Sequence, residues 1–270
     1  MLTIEQKDFV KLTEFIINNY GINLKAKKVL IEGRLSNYLA AEGYTSFEAY
    51  VDHIVTSKNP EDIEIMLNKL TTNHTFFMRE ESHFNFLHDT ILPYVEQANG
   101  KKQSIAIWSA GCSSGEEPYT LSIVMKEYFK NKPGRWDTRL LASDISQNAL
   151  GKATKGFYDE ESLKALPAPW KSAYFTKKDG GYQVTPELRK NVIFRTFNLM
   201  DPIRFKSKFD VIFCRNVMIY FDKPTKNALI QRFYDALNPG GYLLIGHSET
   251  IDRDESNFEY IMPATYRKPL

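Results

Sequence analysis

Only two cysteines, Cys112 and Cys214, occur in 270 residues, too few for a disulfide framework, and both sit in apolar or motif-like surroundings. A reducing compartment, the cytoplasm, is the expected setting. No apolar run approaches the ~20 residues that a membrane-spanning helix needs. The opening Met1-Leu2-Thr3-Ile4-Glu5-Gln6 lacks the basic and apolar stretches of a secretion signal. An excess of one charge is missing too: 35 Lys+Arg against 33 Asp+Glu leave +2, too little to advertise nucleic acid or membrane insertion. Repeats and low-complexity stretches are absent. What remains, 43% hydrophobic and 25% charged, is the composition of a soluble globular protein with length for one large domain or two modest ones.

The first seventy or so residues read as helices only. Thr3 with Gln6 has the spacing of a capping box, followed by Phe9, Leu12, Phe15 and Ile16 at helical intervals and a stop at Gly21. Val29, Ile31, Leu35, Tyr38 and Leu39 mark a second helix that ends near Gly43. Ser46 opens a third, with Phe47, Tyr50, Val51 and Ile54 on one face, and Asn59-Pro60 starts a fourth that carries Ile63, Met66, Leu67 and Leu70. In this bundle Lys25, Lys27, Lys28 and Arg34 cluster against a single acid, Glu32. Such a basic face would attract an acidic helix, although a plain solvated surface explains it as well.

From about Ile105 the texture becomes strand, helix, strand. Strands are expected at Ile105–Trp108, Leu140–Asp144, Val192–Phe194, Phe209–Cys214 and Gly241–Ile245, with an amphipathic helix from about Pro224 to Leu237. This alternation predicts an α/β fold, a Rossmann-like parallel sheet with right-handed crossovers behind an all-helical N-terminal domain. The expected division is a helical domain over 1–72 and a sheet domain over 73–270, with a small β insertion at about 163–190. In that insertion Tyr174-Phe175-Thr176 and Tyr182-Gln183-Val184 pair across Asp179-Gly180-Gly181.

Ligands of open α/β sheets sit beyond the carboxyl ends of the strands. The turn after the first strand runs Gly111-Cys112-Ser113-Ser114-Gly115-Glu116-Glu117 and is not the G-x-G-x-x-G of pyrophosphate sites. Two carboxylates at a helix start repel a diphosphate and suit a cation. Asp144, ending the second strand, is placed to accept hydrogen bonds from ribose hydroxyls. A ribose and a positive charge without phosphate describe S-adenosylmethionine. Asn198-Leu199 and Arg215-Asn216 add polar groups at later strand ends, and the Asn/Asp-Pro-Pro-Tyr element of amino-nitrogen methyltransferases is missing. The segment Thr71-Thr72-Asn73-His74-Thr75-Phe76-Phe77-Met78-Arg79-Glu80 reads either as a helix end and a capped start or as a lid over a pocket. On the residues alone, a small-molecule methyltransferase and a non-catalytic cofactor-sensing adaptor both stay open.

The Thr71–Glu80 segment, Trp108-Ser109-Ala110 through Ser114-Gly115-Glu116-Glu117-Pro118-Tyr119, Ala142-Ser143-Asp144-Ile145, Phe213-Cys214-Arg215-Asn216-Val217-Met218-Ile219-Tyr220-Phe221-Asp222 and Leu237 through Glu249 occur in order. In these blocks the chain closely resembles the chemotaxis receptor methyltransferases, the CheR family, over essentially its whole length. The resemblance implies transfer of a methyl group from S-adenosylmethionine to glutamate side chains of chemoreceptors, giving glutamyl methyl esters and S-adenosylhomocysteine. It implies a cofactor site made by Asn73, Thr75, Arg79, Glu117, Asp144, Asn198 with Leu199, and Arg215 with Asn216, with Arg79 and Tyr220 lining the methyl-transfer region. The implied partners are the cytoplasmic methylation helices of transmembrane chemoreceptors and, at the β insertion, a receptor C-terminal peptide of the kind some members dock. Cys112 stands where many relatives have a smaller residue and Met78 replaces a common aromatic; both are expected to be packing variants.

A glutamate carboxylate, with a reference pKa near ~4.3, is already an ionised nucleophile at neutral pH. Methyl transfer to it therefore asks for alignment and exclusion of water, and for no catalytic base. The five histidines form no metal-spaced cluster with either cysteine, His83 and His88 being five apart, and no metal site is expected.

Overall fold

The computed structural model describes residues 2–71 and 74–270. They form two compact units, one of the described residues to Thr71 together with Tyr220–Lys226, the other of His74–Ile219 and Asn227–Leu270.

The first unit is built on α1 (Gln6–Tyr20), α2 (Lys28–Ala41), α3 (Phe47–Ser57) and α4 (Pro60–Leu70). Their apolar stripes face inward: Leu12, Ile16, Ile31, Leu35, Leu39, Val51, Ile54 and Met66 are fully buried. Local chemistry sets the boundaries. Gly21 adopts φ 72° past the end of α1, the Ser46 side chain accepts the Ala49 N–H at the start of α3, and Asn59 accepts from Glu61 ahead of Pro60. Two expectations are corrected. No capping box forms at Thr3, because Ile4 is buried and its N–H is held by the Glu32 carboxylate at 3.0 Å. That keeps the chain extended until Glu5, and α1 starts at Gln6 without a side-chain cap. Val29 is off the buried stripe of α2 and 82% exposed, because the helix begins one residue before it and turns it outward.

The second unit opens with a bent helical run, α5 (Ser82–Phe86), a π-helical turn at Leu87–Ile91 and α6 (Leu92–Ala98). There follow β1 (Ile107–Ala110), α7 (Glu116–Phe129), β2 (Leu140–Asp144), α8 (Gln147–Lys155), β3 (Phe157–Tyr158), α9 (Ala168–Tyr174), β4 (Phe175–Lys178), β5 (Gly181–Val184), α10 (Pro186–Lys190), β6 (Val192–Thr196), β7 (Phe209–Cys214), α11 (Lys223–Ala236), β8 (Leu237–Ile245), β9 (Glu259–Met262) and β10 (Thr265–Arg267). The first residues of α11, through Lys226, belong to the other unit.

The main sheet has seven strands in the order β6-β2-β1-β7-β8-β10-β9. From β6 to β8 they are parallel, and β10 and β9 close the far edge antiparallel. The order reverses between β1 and β7, which makes the carboxyl ends of these two strands the switch point. Trp108 on β1 has no exposed surface, donates its ring N–H to Ser143 Oγ at 2.9 Å, and packs against Phe197, Phe205, Phe209 and Phe233. Burying such a ring supplies roughly 1.5–3 kcal/mol, which fixes β1 at the centre. The hairpin of the insertion forms, with Thr176 opposite Gln183, and β3 adds a third strand on the far side of β5. β8 starts at Leu237, earlier than its apolar run suggests, and reaches β7 through a register shift after Phe209. No helix among the described residues is long and apolar enough to cross a membrane.

Candidate functional site

The turn after β1 is shaped by Gly111 and Gly115, with φ of 82° and 99°. A Cβ at Gly111 would lie 2.4 Å from Val217 Cγ2, and one at Gly115 would lie 2.8 Å from the Cβ of Ala153 and 2.9 Å from the Tyr158 hydroxyl. Both glycines are therefore required by packing of the turn as well as by its conformation. The N–H groups of Gly111 and Cys112 both bond the Ser143 carbonyl, at 2.8 and 2.9 Å. Asp144 then ties the two strand ends together: its Oδ2 accepts the Ser113 N–H at 2.7 Å and its Oδ1 the Ser146 N–H at 2.9 Å. The Asp144 carbonyl takes the Phe197 N–H at 3.0 Å, which brings Asn198, just past β6, to the same edge. Asn198 Oδ1 accepts the Met200 N–H at 3.0 Å, and the carbonyl of buried Leu199 is held by Arg232 at 2.7 Å.

The two carboxylates at the start of α7 part company. Glu116 is buried, with the Ser114 hydroxyl at 3.0 and 2.8 Å from its two oxygens, and burial pushes its pKa up. Its carboxylate is held inside the turn by Ser114, where the sequence had both acids facing a ligand. Adjacent helical residues point about 100° apart, and Glu117 takes the other direction. Its Oε1 accepts from Ser109 Oγ at 2.7 Å and its Oε2 from Arg215 at 3.0 Å.

Arg215, just beyond β7, is 2% exposed and joins three segments. It donates to Glu117, to Glu80 Oε2 at 3.0 Å and to the Arg79 carbonyl, while its guanidinium lies over the Phe84 ring. Four of its five donors are thus engaged in orienting its neighbours. Glu80 also accepts from the Asn216 side chain at 3.3 Å and the His247 N–H at 3.2 Å. Burial pushes the Glu80 pKa up, but the Arg215 charge and these hydrogen bonds outweigh it and hold the carboxyl below its usual range. Glu80 stands in left-handed backbone, φ 57°, as does Met78 at 61°, a conformation that costs bulky residues about 1–3 kcal/mol each. Sequence reasoning passed over Glu80, although it directly follows Arg79. It passed over Glu249 too, a buried carboxylate that accepts N–H groups of Asn216 (3.0 Å), Gly246 (2.6 Å) and Ile219 (3.1 Å) and so fixes the loop carrying Asn216.

Arg79 is half-buried, and one of its terminal nitrogens donates to the His74 carbonyl at 2.8 Å. Thr75 is half-buried on the irregular segment before it. Asn73 lies outside the described residues. Tyr220 belongs to the first unit, where its carbonyl accepts the Asn23 N–H at 2.7 Å. Within the second unit the folded chain brings together Glu117, Arg215, Asn216 and the carbonyl of Arg79 in one network, and Asp144 with the β1 turn in another.

One convergence has no trace in linear spacing. Glu80, His83 and His247 place ligand-type atoms within 4.8 Å of one another. Four donors already occupy the Glu80 oxygens, the usual capacity of a carboxylate. His83 is wholly buried with neither ring nitrogen hydrogen-bonded, and burial, then the Arg215 charge, bring its pKa down to about 3.

The donor set fits S-adenosylmethionine. Asp144 is a half-buried acceptor whose oxygens take the backbone N–H groups of Ser113, Ser146 and Ile145 and keep capacity for a ribose hydroxyl. Glu80, Arg215 and Glu117 together leave one negative charge for a cation. The Cys112 thiol, wholly buried, is pushed far up and is no nucleophile at neutral pH.

The family model described as CheR methyltransferase, SAM binding domain, matches residues 73–267, and that described as CheR methyltransferase, all-alpha domain, matches residues 7–71. A chemotaxis protein methyltransferase of Borreliella burgdorferi is 44% identical over 99% of this chain and 96% of its own length. A probable chemotaxis protein methyltransferase of Rhizobium etli is 36% identical over 93% and 96%, and the chemotaxis protein methyltransferase of Escherichia coli is 34% identical over 95% and 89%.

Proposed function

The chain belongs to the CheR methyltransferase family, and on that premise we propose that it methylates glutamate side chains in the cytoplasmic methylation helices of chemoreceptors, forming glutamyl methyl esters. Its cofactor is S-adenosylmethionine, which supplies an electrophilic methyl group when bound. The observation that carries the reading is the switch-point edge itself, which gathers the acceptors Asp144 and Glu117, while Arg215, the buried cation among the described residues, is held by Glu117 and Glu80. Such an edge suits a cationic nucleoside and repels a phosphate.

The chain's own residues then have these roles. Asp144 receives the ribose hydroxyls. Glu117, oriented by Ser109 and Arg215, receives a positive group of the cofactor. Asn216 and Asn198 with Leu199 border the crevice, together with Thr75. Arg79, which spends one donor on His74, keeps the rest of its planar fork for the incoming carboxylate. An ion pair of moderate strength there orients one carboxylate oxygen and leaves the other free to attack. Since the nucleophile is ionised at neutral pH, positioning and exclusion of water supply the rate.

Substrate recognition is assigned to two surfaces. On the first unit Lys25 and Lys27 are exposed and Lys28 is partly so, while Glu32 turns its carboxylate to the Ile4 N–H and Asp222 is the acid that faces Lys25. Arg34 is not part of this face as the sequence suggested, since it donates to the carbonyls of Lys69 and Thr71 beyond α4. The lysines with exposed Val29 suit an acidic receptor helix with an apolar seam. In the insertion β4 is an outer strand with Thr176, Lys177 and Lys178 exposed, an edge to which an extended receptor C-terminal peptide adds.

Incubation with methyl-labelled S-adenosylmethionine and receptor cytoplasmic fragments tests the reading. Label released as methanol by mild base supports it. Base-stable label, or none transferred to protein, contradicts it.

A further inference from the structure

Glu80, Arg215 and Glu117 form a line of charge in which one guanidinium is shared by two carboxylates, each at 3.0 Å. The guanidinium is 2% exposed and the carboxylates 14% and 12%, so water screens the group poorly. Arg215 alone against Glu117 would be neutral. Glu80 makes the sum −1, and its carboxyl stays ionised because Arg215, Asn216 and the His247 N–H all donate to it. Glu80 is half-buried, held by these polar partners and set in left-handed backbone.

Resting on the reading of this crevice as the S-adenosylmethionine site, we propose that Glu80 determines the preference between methyl donor and demethylated product. The two molecules share the adenosine, the ammonium and the carboxylate. They differ in the sulfur, a sulfonium cation in the donor and a neutral thioether in the product. A fixed negative charge in a poorly screened crevice acts on that difference and on nothing else that separates them. Contacts to the shared parts, such as those assigned to Asp144, raise or lower both affinities together. Glu80 therefore favours the donor relative to the product, and so eases product departure after each transfer, through charge and without a required contact.

The test is equilibrium binding of both molecules by calorimetry to the full chain. Glu80→Gln keeps the shape and removes the charge, so the ratio of donor to product affinity should fall by about 3-fold or more. Glu80→Asp keeps the charge on a shorter arm, and its ratio should stay near that of the wild type even where both affinities drop. Glu80→Ser makes the same charge change with room for water beside Arg215 and serves should Glu80→Gln not fold. An unchanged ratio in a folded neutral variant, or an equal fall in Glu80→Asp, overturns the inference. Failure of the wild-type chain to bind either molecule would instead overturn the assignment of the crevice.

Discussion

The carboxylate of Asp144 accepts the backbone N–H of Ser113 at 2.7 Å, so the end of β2 and the turn after β1 are held as one piece. Removing it loses both that brace and the acceptor assigned to the ribose. Asp144→Ala should weaken binding of S-adenosylmethionine and of S-adenosylhomocysteine alike by about 1–3 kcal/mol. Calorimetry that finds unchanged affinities would take Asp144 out of the site.

Arg79 offers a planar fork, and Arg79→Lys keeps the charge while losing it. With both substrates saturating, turnover should drop by ~10-fold or more from lost alignment. Tyr220→Phe keeps the ring and is expected to lose less. A fully active Arg79→Ala enzyme would leave the residue a purely structural part.

His83 carries a pH signature. Its folded pKa, about 3, lies below the ordinary histidine value of 6.5, so the stability it contributes is complete above pH 6.5 and is lost as pH falls towards 3. The groups facing it are Arg215 and His247, which lower its pKa, and Glu80, which raises it. Each pH unit below 6.5 should cost wild-type stability about 1.4 kcal/mol from this residue alone. Because neither ring nitrogen is hydrogen-bonded, His83→Leu should fold and lack that slope. Denaturant melts at pH 7 and pH 5 that shift equally in both proteins would show that His83 is protonated, or unfolded, at ordinary cost.

Reversal of Lys25, Lys27 and Lys28 to Glu should lower receptor methylation without lowering cofactor affinity. Added salt should slow the wild-type reaction more than that of the triple variant, since exposed charge attraction is screened. Equal receptor turnover and equal salt dependence would remove the basic face from substrate binding.

Much of this arrangement is legible in the residues. Leu140–Asp144 is an apolar run that stops on an acid, and such a run can only deliver its last side chain to the sheet edge. Ser46 and Asn59-Pro60 announce α3 and α4 because caps are local chemistry. The parts that escape notice depend on distance or on angle. Glu80 and Arg215 are 135 residues apart, and no short-range pattern pairs them. Glu116 and Glu117 look alike in sequence, and only the helical turn sends one inward to Ser114 and the other to Arg215. Thr3 has the spacing of a cap but loses to the Ile4–Glu32 hydrogen bond, a tertiary contact. Arg34 belongs by sequence to a basic cluster and by geometry to the end of α4.

The central claim is the acceptor. Mass spectrometry of a receptor cytoplasmic fragment, after incubation with the enzyme and S-adenosylmethionine, reads it directly. The account predicts one added methyl group on glutamate-containing peptides, removed by mild base and absent when those glutamates are replaced by alanine. Methylation on lysine or another nitrogen, or a mass gain that survives base, would contradict it.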